Sequence, residues 1–134
     1  MTAVDTNILV RFLVCDDSVQ AAQVRQAFLK AERERTAFFV PLLVLLETIW
    51  VLVSAYSIPK PDLLATLTDL LRLPILRFEQ REAIQATLAT ASSHPLDLPD
   101  ALIAESARHS GCGTVLTFDR KAARTAPFQL LPTP

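Results

Sequence analysis

The segment that most restricts the fold covers residues 36–59, where Glu47 is the only charged residue. A run of this length and hydrophobicity either crosses a bilayer or lies in the core of a globular domain. Pro41 near its start and Glu47 in its middle argue against a membrane span, because a charge at a helix centre costs ~3 kcal/mol on insertion scales. We therefore expect a strand at 36–40 followed by a helix at 42–56 that is buried on most sides.

The rest of the chain alternates between strand-like and helix-like segments, which predicts right-handed crossovers and parallel strands. The sequence predicts an α/β fold, a three-layer α/β/α sandwich with a mostly parallel central sheet, in a single domain over residues 1–134. Strands are expected at 2–5, 36–40, 75–78, 114–118 and 128–131. Helices are expected at 8–13, 42–56, 61–71, 79–92, 100–110 and 120–124. A further helix is expected to follow an N-cap at 16–18.

Composition narrows the class of protein further. Hydrophobic residues make up 51% of the chain and charged residues 20%, which is typical of a globular domain. The net charge of −1 means that any polyanion must bind a local basic patch. Cys15 and Cys112 have no metal-ligand spacing and resemble free thiols, although a disulfide between them stays open. No signal peptide is visible, so we expect a cytoplasmic protein without a membrane segment.

Acidic residues occur where packing alone would not place them. Asp5 ends the first predicted strand and Asp119 ends the fourth, and the carboxyl ends of parallel strands share one edge of a sheet. Glu47 is expected on a buried helix, where an ionised carboxylate needs a partner or a metal ion. An ion pair with Arg11 or Arg77 is the structural alternative for Glu47.

Local hydrogen bonding offers a second explanation for the other acids. Asp5 and Asn7 could simply form a turn. Asp97 could be the N-cap of a helix with Asp100 at its third position, and Asp119 could also cap a helix. Several carboxylates at one edge would nevertheless form the oxygen-rich cluster that Mg²⁺ and Mn²⁺ prefer, and such ions activate water for phosphodiester hydrolysis.

Four motifs resemble those of PIN domains, in the same order along essentially the whole chain. They are VDTNILV at 4–10, VPLLVLLETIWVL at 40–52, DLPDALIA at 97–104 and LTFDR at 116–120. For a chain of this length, the resemblance is closest to VapC-type toxins of type II toxin–antitoxin pairs. Leu98-Pro99 departs from the small or aromatic pair expected in the third motif.

The resemblance implies a Mg²⁺- or Mn²⁺-dependent endoribonuclease that hydrolyses RNA with a metal-activated water. It also implies a homodimer and a cognate antitoxin that covers the site, often with a basic side chain among the acids. The implied catalytic and metal-binding acids are Asp5, Glu47, Asp100 and Asp119, with Asp97 as a subsidiary metal ligand and Thr6, Asn7 and Thr117 as supporting polar residues.

Contacts to an RNA substrate would come from nearby cations, and Arg11, Arg120 and Lys121 are the candidates. Surface arginines are more often solvated than functional. Two other functions stay open. A non-catalytic module could bind RNA or protein through the same fold, and a phosphatase of the haloacid-dehalogenase type could use Asp5 as a nucleophile, although that class carries Asp where this chain has Asn7.

Overall fold

Parallel pairing of three short strands organises the first part of the chain in the computed structural model, which describes residues 1–132. Strands β1 (Thr2–Ala3), β2 (Phe38–Val40) and β3 (Leu76–Phe78) form one sheet in the order β1-β2-β3. Phe39 lies at the centre, opposite Ala3 on one side and Arg77 on the other. This sheet belongs to a compact unit that ends at Glu79, and a second unit begins at Gln80.

Four helices complete the first unit: α1 (Thr6–Val14), α2 (Ser18–Glu34), α3 (Leu42–Ser54) and α4 (Lys60–Leu71). Asp5 and Asp17 cap the first two with side-chain hydrogen bonds, whereas Pro41 and Pro59 precede the last two. Proline is tolerated at these positions because the N–H groups at the start of a helix have no acceptor within the helix, so the N–H that proline lacks costs no hydrogen bond. The most deeply buried large side chains of the unit are Leu9, Val40, Leu45, Ile49 and Leu70.

The second unit contains two helices and a two-stranded parallel sheet. Helices α5 (Arg81–Thr90) and α6 (Leu98–His109) precede β4 (Val115–Thr117), a 3-10 turn at Ala122–Arg124 and β5 (Phe128–Leu130). Val115 lies opposite Phe128 in the sheet. A small hydrophobic cluster holds this unit together and contains Leu96, Ala101, Ala104, Ala122 and Phe128.

The predicted α/β class with parallel strands is confirmed, because each of the three strand pairs is parallel. Several helix starts differ from the prediction. Helices α1 and α6 begin two residues early, at Thr6 and Leu98, because an Asp caps each of them. Helix α5 begins two residues late, at Arg81, and a 3-10 turn at Ala122–Arg124 replaces the helix predicted at 120–124. The single domain over residues 1–134 stays a prediction.

Helix α3 is less buried than its apolar sequence predicted. Its buried residues are Leu45, Thr48, Ile49 and Leu52. Leu43 is 79% exposed and Trp50 is 65% exposed, so burial on most sides was wrong. No helix within residues 1–132 combines the length and the hydrophobicity needed to span a membrane. Both cysteines are exposed free thiols.

Candidate active site

Asp5 lies where the first strand leaves the sheet. The strand ends at Ala3, and the Val4 N–H still donates to the Phe39 carbonyl at 3.0 Å. The Asp5 backbone is extended, and its Oδ1 accepts a hydrogen bond from the Ile8 N–H at 3.3 Å. Asp5 is therefore the N-cap of α1 and not the last strand residue, but it keeps its place at the carboxyl end of β1. Asn7 follows in the first turn and is exposed.

Glu47 is held by a hydroxyl group rather than by a cation. The Oγ1 of Thr6 donates a hydrogen bond to Oε1 of Glu47, which joins the first turn of α1 to α3. Thr6 is buried, whereas Glu47 is exposed, so the expectation of a buried charge at Glu47 was wrong. Thr6, which holds Glu47, directly follows Asp5 in the chain, and Asp5 is itself a candidate metal ligand.

Arg11 has other partners. Its Nη1 lies 3.1 Å from Oδ1 of Asp16, and its Nε donates to Oε1 of Gln20 at 2.7 Å. Asp16 also accepts a hydrogen bond from the Tyr56 hydroxyl at 2.7 Å. This half-buried guanidinium therefore links three segments of the first unit, and its ion pair is with Asp16 and not with Glu47, the pairing considered from sequence.

Asp97 and Asp100 begin α6 as the capping pattern predicted. Oδ1 of Asp97 accepts from the Asp100 N–H at 3.1 Å. Partial burial, and then the carboxylates of Asp97 and Asp119, raise the pKa of Asp100 above its usual range. A carboxyl crowded by like charges releases its proton less readily. Asp97 and Asp100 therefore take part both in capping α6 and in the repulsion between neighbouring carboxylates.

Asp119 is not the last residue of β4 as predicted but lies two residues after it, in a tight turn. Its N–H donates to Oγ1 of Thr117 at 2.9 Å, while its Oδ1 accepts from the N–H groups of Lys121 and Ala122 at 2.8 and 3.1 Å. Arg120 and Lys121 follow directly, and both are exposed. The turn thus presents a carboxylate and two cations within three consecutive residues.

The structure places the predicted residues in two groups. Thr6 and Glu47 are hydrogen-bonded beside Asp5 in the first unit, and Asp97, Asp100 and Asp119 interact electrostatically in the second. Within neither unit do the described residues form a group of three His, Cys, Asp or Glu side chains that could hold a metal ion. The donor chemistry fits a hard divalent cation, because the candidate ligands are carboxylates and the crowding around Asp100 favours a nearby positive charge.

A cavity of about 350 Å³ in the second unit has a different lining. Glu105 and Arg108, which form an ion pair at 2.9 Å, lie in its wall together with Cys112. None of the predicted acids lines it. The acids lie on exposed or half-buried surface.

Glu79 is a carboxylate that the sequence reasoning did not single out. It directly follows β3, and its Oε1 accepts from the Leu42 N–H at the start of α3 at 2.8 Å. An acid immediately after a predicted strand was the available signal, the same signal that identified Asp5 and Asp119. Its partner is 37 positions away in sequence, so the contact itself could not be read from local pattern.

A family model described as "PIN domain" matches residues 2–127. The matched region contains all four predicted catalytic acids. Together with the parallel strands, the match confirms the PIN-like α/β/α fold class. No curated protein matches the chain.

Proposed function

The chain belongs to the PIN-domain family, and on that premise we propose that it is a Mg²⁺- or Mn²⁺-dependent endoribonuclease that acts as the toxin of a type II toxin–antitoxin pair. PIN domains are typically metal-dependent nucleases, which supports nuclease-type chemistry at the level of the family. The choice of RNA and the toxin role rest on the resemblance of the four motifs to VapC-type proteins.

The observation that carries the proposal is the environment of Asp100. Burial and two neighbouring carboxylates raise its pKa, so the fold keeps acids together at a cost in stability. A helix that needed only a cap would require Asp97 alone, because Asp97 already bonds the Asp100 N–H. Asp119 accepts two backbone N–H groups, which an Asn could also do, so its negative charge beside Asp100 adds repulsion that a cation ligand set would explain.

Asp5, Glu47, Asp100 and Asp119 would hold the divalent ion, with Asp97 as a subsidiary ligand. When bound, such an ion lowers the pKa of a water molecule and neutralises charge on the phosphodiester. Other side chains of this protein position the ligands. Thr6 orients the Glu47 carboxylate, and Thr117 fixes the backbone from which the Asp119 carboxylate extends.

Arg120 and Lys121 are the best-placed cations for the substrate. Both are exposed and directly follow Asp119, so they would pair with backbone phosphates beside the reacting bond. Arg11 is less available, because its guanidinium is already bonded to Asp16 and Gln20. A protein with a net charge of −1 depends on such local cations for RNA binding.

Two partners complete the proposal. A cognate antitoxin would cover the acids and place a basic side chain among them, which matches the local excess of carboxylates around Asp100. A second copy of the chain would cover the exposed apolar residues of α3. Leu43, Trp50 and Val53 are these residues, and large exposed apolar side chains on one helix favour an interface.

The test is sequencing of RNA ends after induced expression in cells, with Asp5→Asn as the control. Asn also caps helices well, so the control should fold. We expect new 5′ ends at a restricted set of sites with the wild type and none with the variant. Identical end profiles for the two proteins would reject the proposal in favour of a non-catalytic RNA- or protein-binding module. A trapped aspartyl-phosphate on Asp5 would instead support a phosphatase.

A further inference from the structure

The start of α3 depends on a carboxylate from another part of the sheet. Pro41, the N-cap residue of α3, makes no side-chain capping bond. The Leu42 N–H instead donates to Oε1 of Glu79 at 2.8 Å, and the Glu79 N–H donates to the Val40 carbonyl at 3.0 Å. Glu79 therefore binds the chain on both sides of Pro41, where β2 turns into α3.

This double contact joins the first turn of α3 to the residue that follows β3. The first N–H groups of a helix have no partner within the helix, and a carboxylate there also interacts favourably with the helix dipole. Because Glu79 directly follows β3, its position is set by the parallel pairing of β3 with β2. The cap is thus a tertiary contact that ties the direction of α3 to the edge of the sheet.

Glu47 lies five positions after Leu42, about 7.5 Å along the helix axis. Leu45 and Ile49 pack α3 into the core on either side of this point. The hydroxyl of Thr6 donates a hydrogen bond to the Glu47 carboxylate. Leu42 and Glu47 lie on the same helix, so a change in the direction of α3 at its first turn would shift Glu47 relative to Thr6.

We propose that Glu79 is a positioning residue for Glu47: by capping α3 from the end of β3 it sets where the Glu47 carboxylate meets Thr6. The importance of this position for catalysis rests on the proposed function, since Glu47 is one of the acids assigned there to the metal ion. Glu79 is assigned to the helix because both of its contacts, to the Leu42 N–H and to the Val40 carbonyl, lie at the junction of β2 and α3.

A double-mutant cycle on the metal-free protein tests this positioning without reference to activity. Thr6→Val removes the hydroxyl donor at nearly constant volume, and its effect on melting temperature in EDTA is measured in four backgrounds. These are wild type, Glu79→Ala, Glu79→Gln and Asp17→Ala. Asp17 is the matched control, because it caps α2 by accepting from the Gln20 N–H at 3.0 Å and that helix carries none of the assigned acids.

Glu79→Ala and Asp17→Ala should each lower the melting temperature by about 4 °C, the usual effect of losing a cap in a domain of this size. In the Glu79→Ala background, Thr6→Val should cost less than half of what it costs in wild type, because the two sites are coupled. Its cost should be unchanged in Asp17→Ala and largely restored in Glu79→Gln, whose amide oxygen still accepts a hydrogen bond. An equal cost in all four backgrounds overturns the proposal.

Calorimetry with Mn²⁺ provides the second readout. Glu79→Ala should weaken Mn²⁺ binding by about tenfold, as expected for a residue that orients a ligand, whereas Asp17→Ala should leave it unchanged. Equal weakening by both variants means that general destabilisation is the cause, and it overturns the proposal. If wild type binds no Mn²⁺, the proposed function fails while the cycle still decides the positioning role. Should Glu79→Ala not fold, Glu79→Asp keeps the charge, shortens the reach and must show the same loss of coupling.

Discussion

At the scale of single residues, helix capping and metal binding are compatible roles for the same acid. Asp5, Asp97 and Asp119 each use Oδ1 to accept a backbone N–H at the start of a helix or turn. An ionised carboxylate has two oxygens and about four acceptor positions, so one capping bond leaves capacity for a cation. A capping role and a metal-binding role for these acids therefore do not exclude each other. The two roles predict different changes in melting temperature when the negative charge is removed.

Asp119→Asn should raise the melting temperature of the metal-free protein at pH 7 by about 1–3 °C, a small effect because solvent screens these charges. The substitution removes a negative charge beside Asp100 and keeps an acceptor for the Lys121 and Ala122 N–H groups. Melting curves in EDTA measure the difference. Added Mn²⁺ should stabilise the variant less than the wild type, because its affinity for the ion is weaker.

The pH dependence of this difference has a defined sign. The folded-state pKa of Asp100 is raised above its usual 3.8, so the ionised group destabilises the folded state at neutral pH. That destabilisation is lost as the pH falls through the folded pKa toward 3.8. The advantage of Asp119→Asn should therefore shrink as the pH is lowered from 7 toward 4. A variant that melts lower than wild type at every pH would show that capping is the dominant role of Asp119.

At the scale of elements, sequence pattern located nearly every helix and strand because proline and glycine punctuate this chain. Pro41, Pro59 and Pro74 separate the apolar segments, and Gly111, with φ +87°, follows the end of α6. Boundaries were missed where a capping Asp competes with the hydrophobic pattern, as at α1 and α6. Strand order also lay beyond local pattern, because pairing joins segments more than thirty positions apart.

The partner of Glu47 could not be read from sequence for a geometric reason. Arg11 and Arg77 were the cations considered, and Arg11 lies five positions after Thr6 in α1, roughly 140° around the helix. The face of α1 that reaches Glu47 therefore carries Thr6, while Arg11 reaches Asp16. Sequence pattern placed Thr6 and Arg11 on the same helix, whereas the rotation of that helix decides that Thr6 contacts Glu47 and Arg11 contacts Asp16.

A hydrogen bond between Tyr56 and Asp16 joins the end of α3 to the connection between α1 and α2, and it gives a prediction about how these elements are held together. The Tyr56 hydroxyl, just beyond α3, donates to Oδ2 of Asp16. This bond lowers the pKa of Asp16, with a smaller contribution from Arg11, and it raises the pKa of Tyr56. Tyr56→Phe should lower the melting temperature by a few degrees near neutral pH.

The deficit of Tyr56→Phe should shrink at both ends of the pH range. A lowered Asp16 pKa stabilises the fold above pH 3.8, and that stability is lost as the pH falls through the folded value. A raised Tyr56 pKa stabilises the fold below pH 10.0, and that stability is lost as the pH rises through the folded value. Ser54→Ala is the control, because its hydroxyl bonds a backbone carbonyl and its deficit should not vary with pH. A constant deficit for Tyr56→Phe would contradict the assigned link.

At the scale of the whole molecule, exposed apolar surface and charge decide what the chain associates with. Leu43 and Trp50 flank Glu47 on the exposed side of α3, at spacings of four and three residues. A second copy of the chain that covers them would contact the protein beside a candidate metal ligand. A two-fold dimer of this kind is the commonest symmetric assembly.

Trp50→Glu should convert a dimer into a monomer, because a charge in place of a large apolar side chain opposes burial at an interface. Light scattering at tens of micromolar should give twice the 14.8 kDa chain mass for wild type and the single mass for the variant. Val19→Glu is the matched control, since Val19 is 68% exposed on a different helix, α2, and the substitution should leave the dimer intact. A monomeric wild type would reject the dimer.

The most direct test compares RNA cleavage by wild type, Asp5→Asn and Asp100→Asn in the presence of Mn²⁺. Each variant removes one candidate ligand, one from each compact unit, and Asn preserves the capping position at Asp5. Asp17→Asn serves as the control, because it changes a capping carboxylate that has no assigned role in catalysis. Both site variants should lose about 100-fold or more of the initial rate while melting close to wild type, and the control should retain its rate. Cleavage at the wild-type rate by Asp5→Asn or Asp100→Asn would contradict the assignment of these acids to the active site.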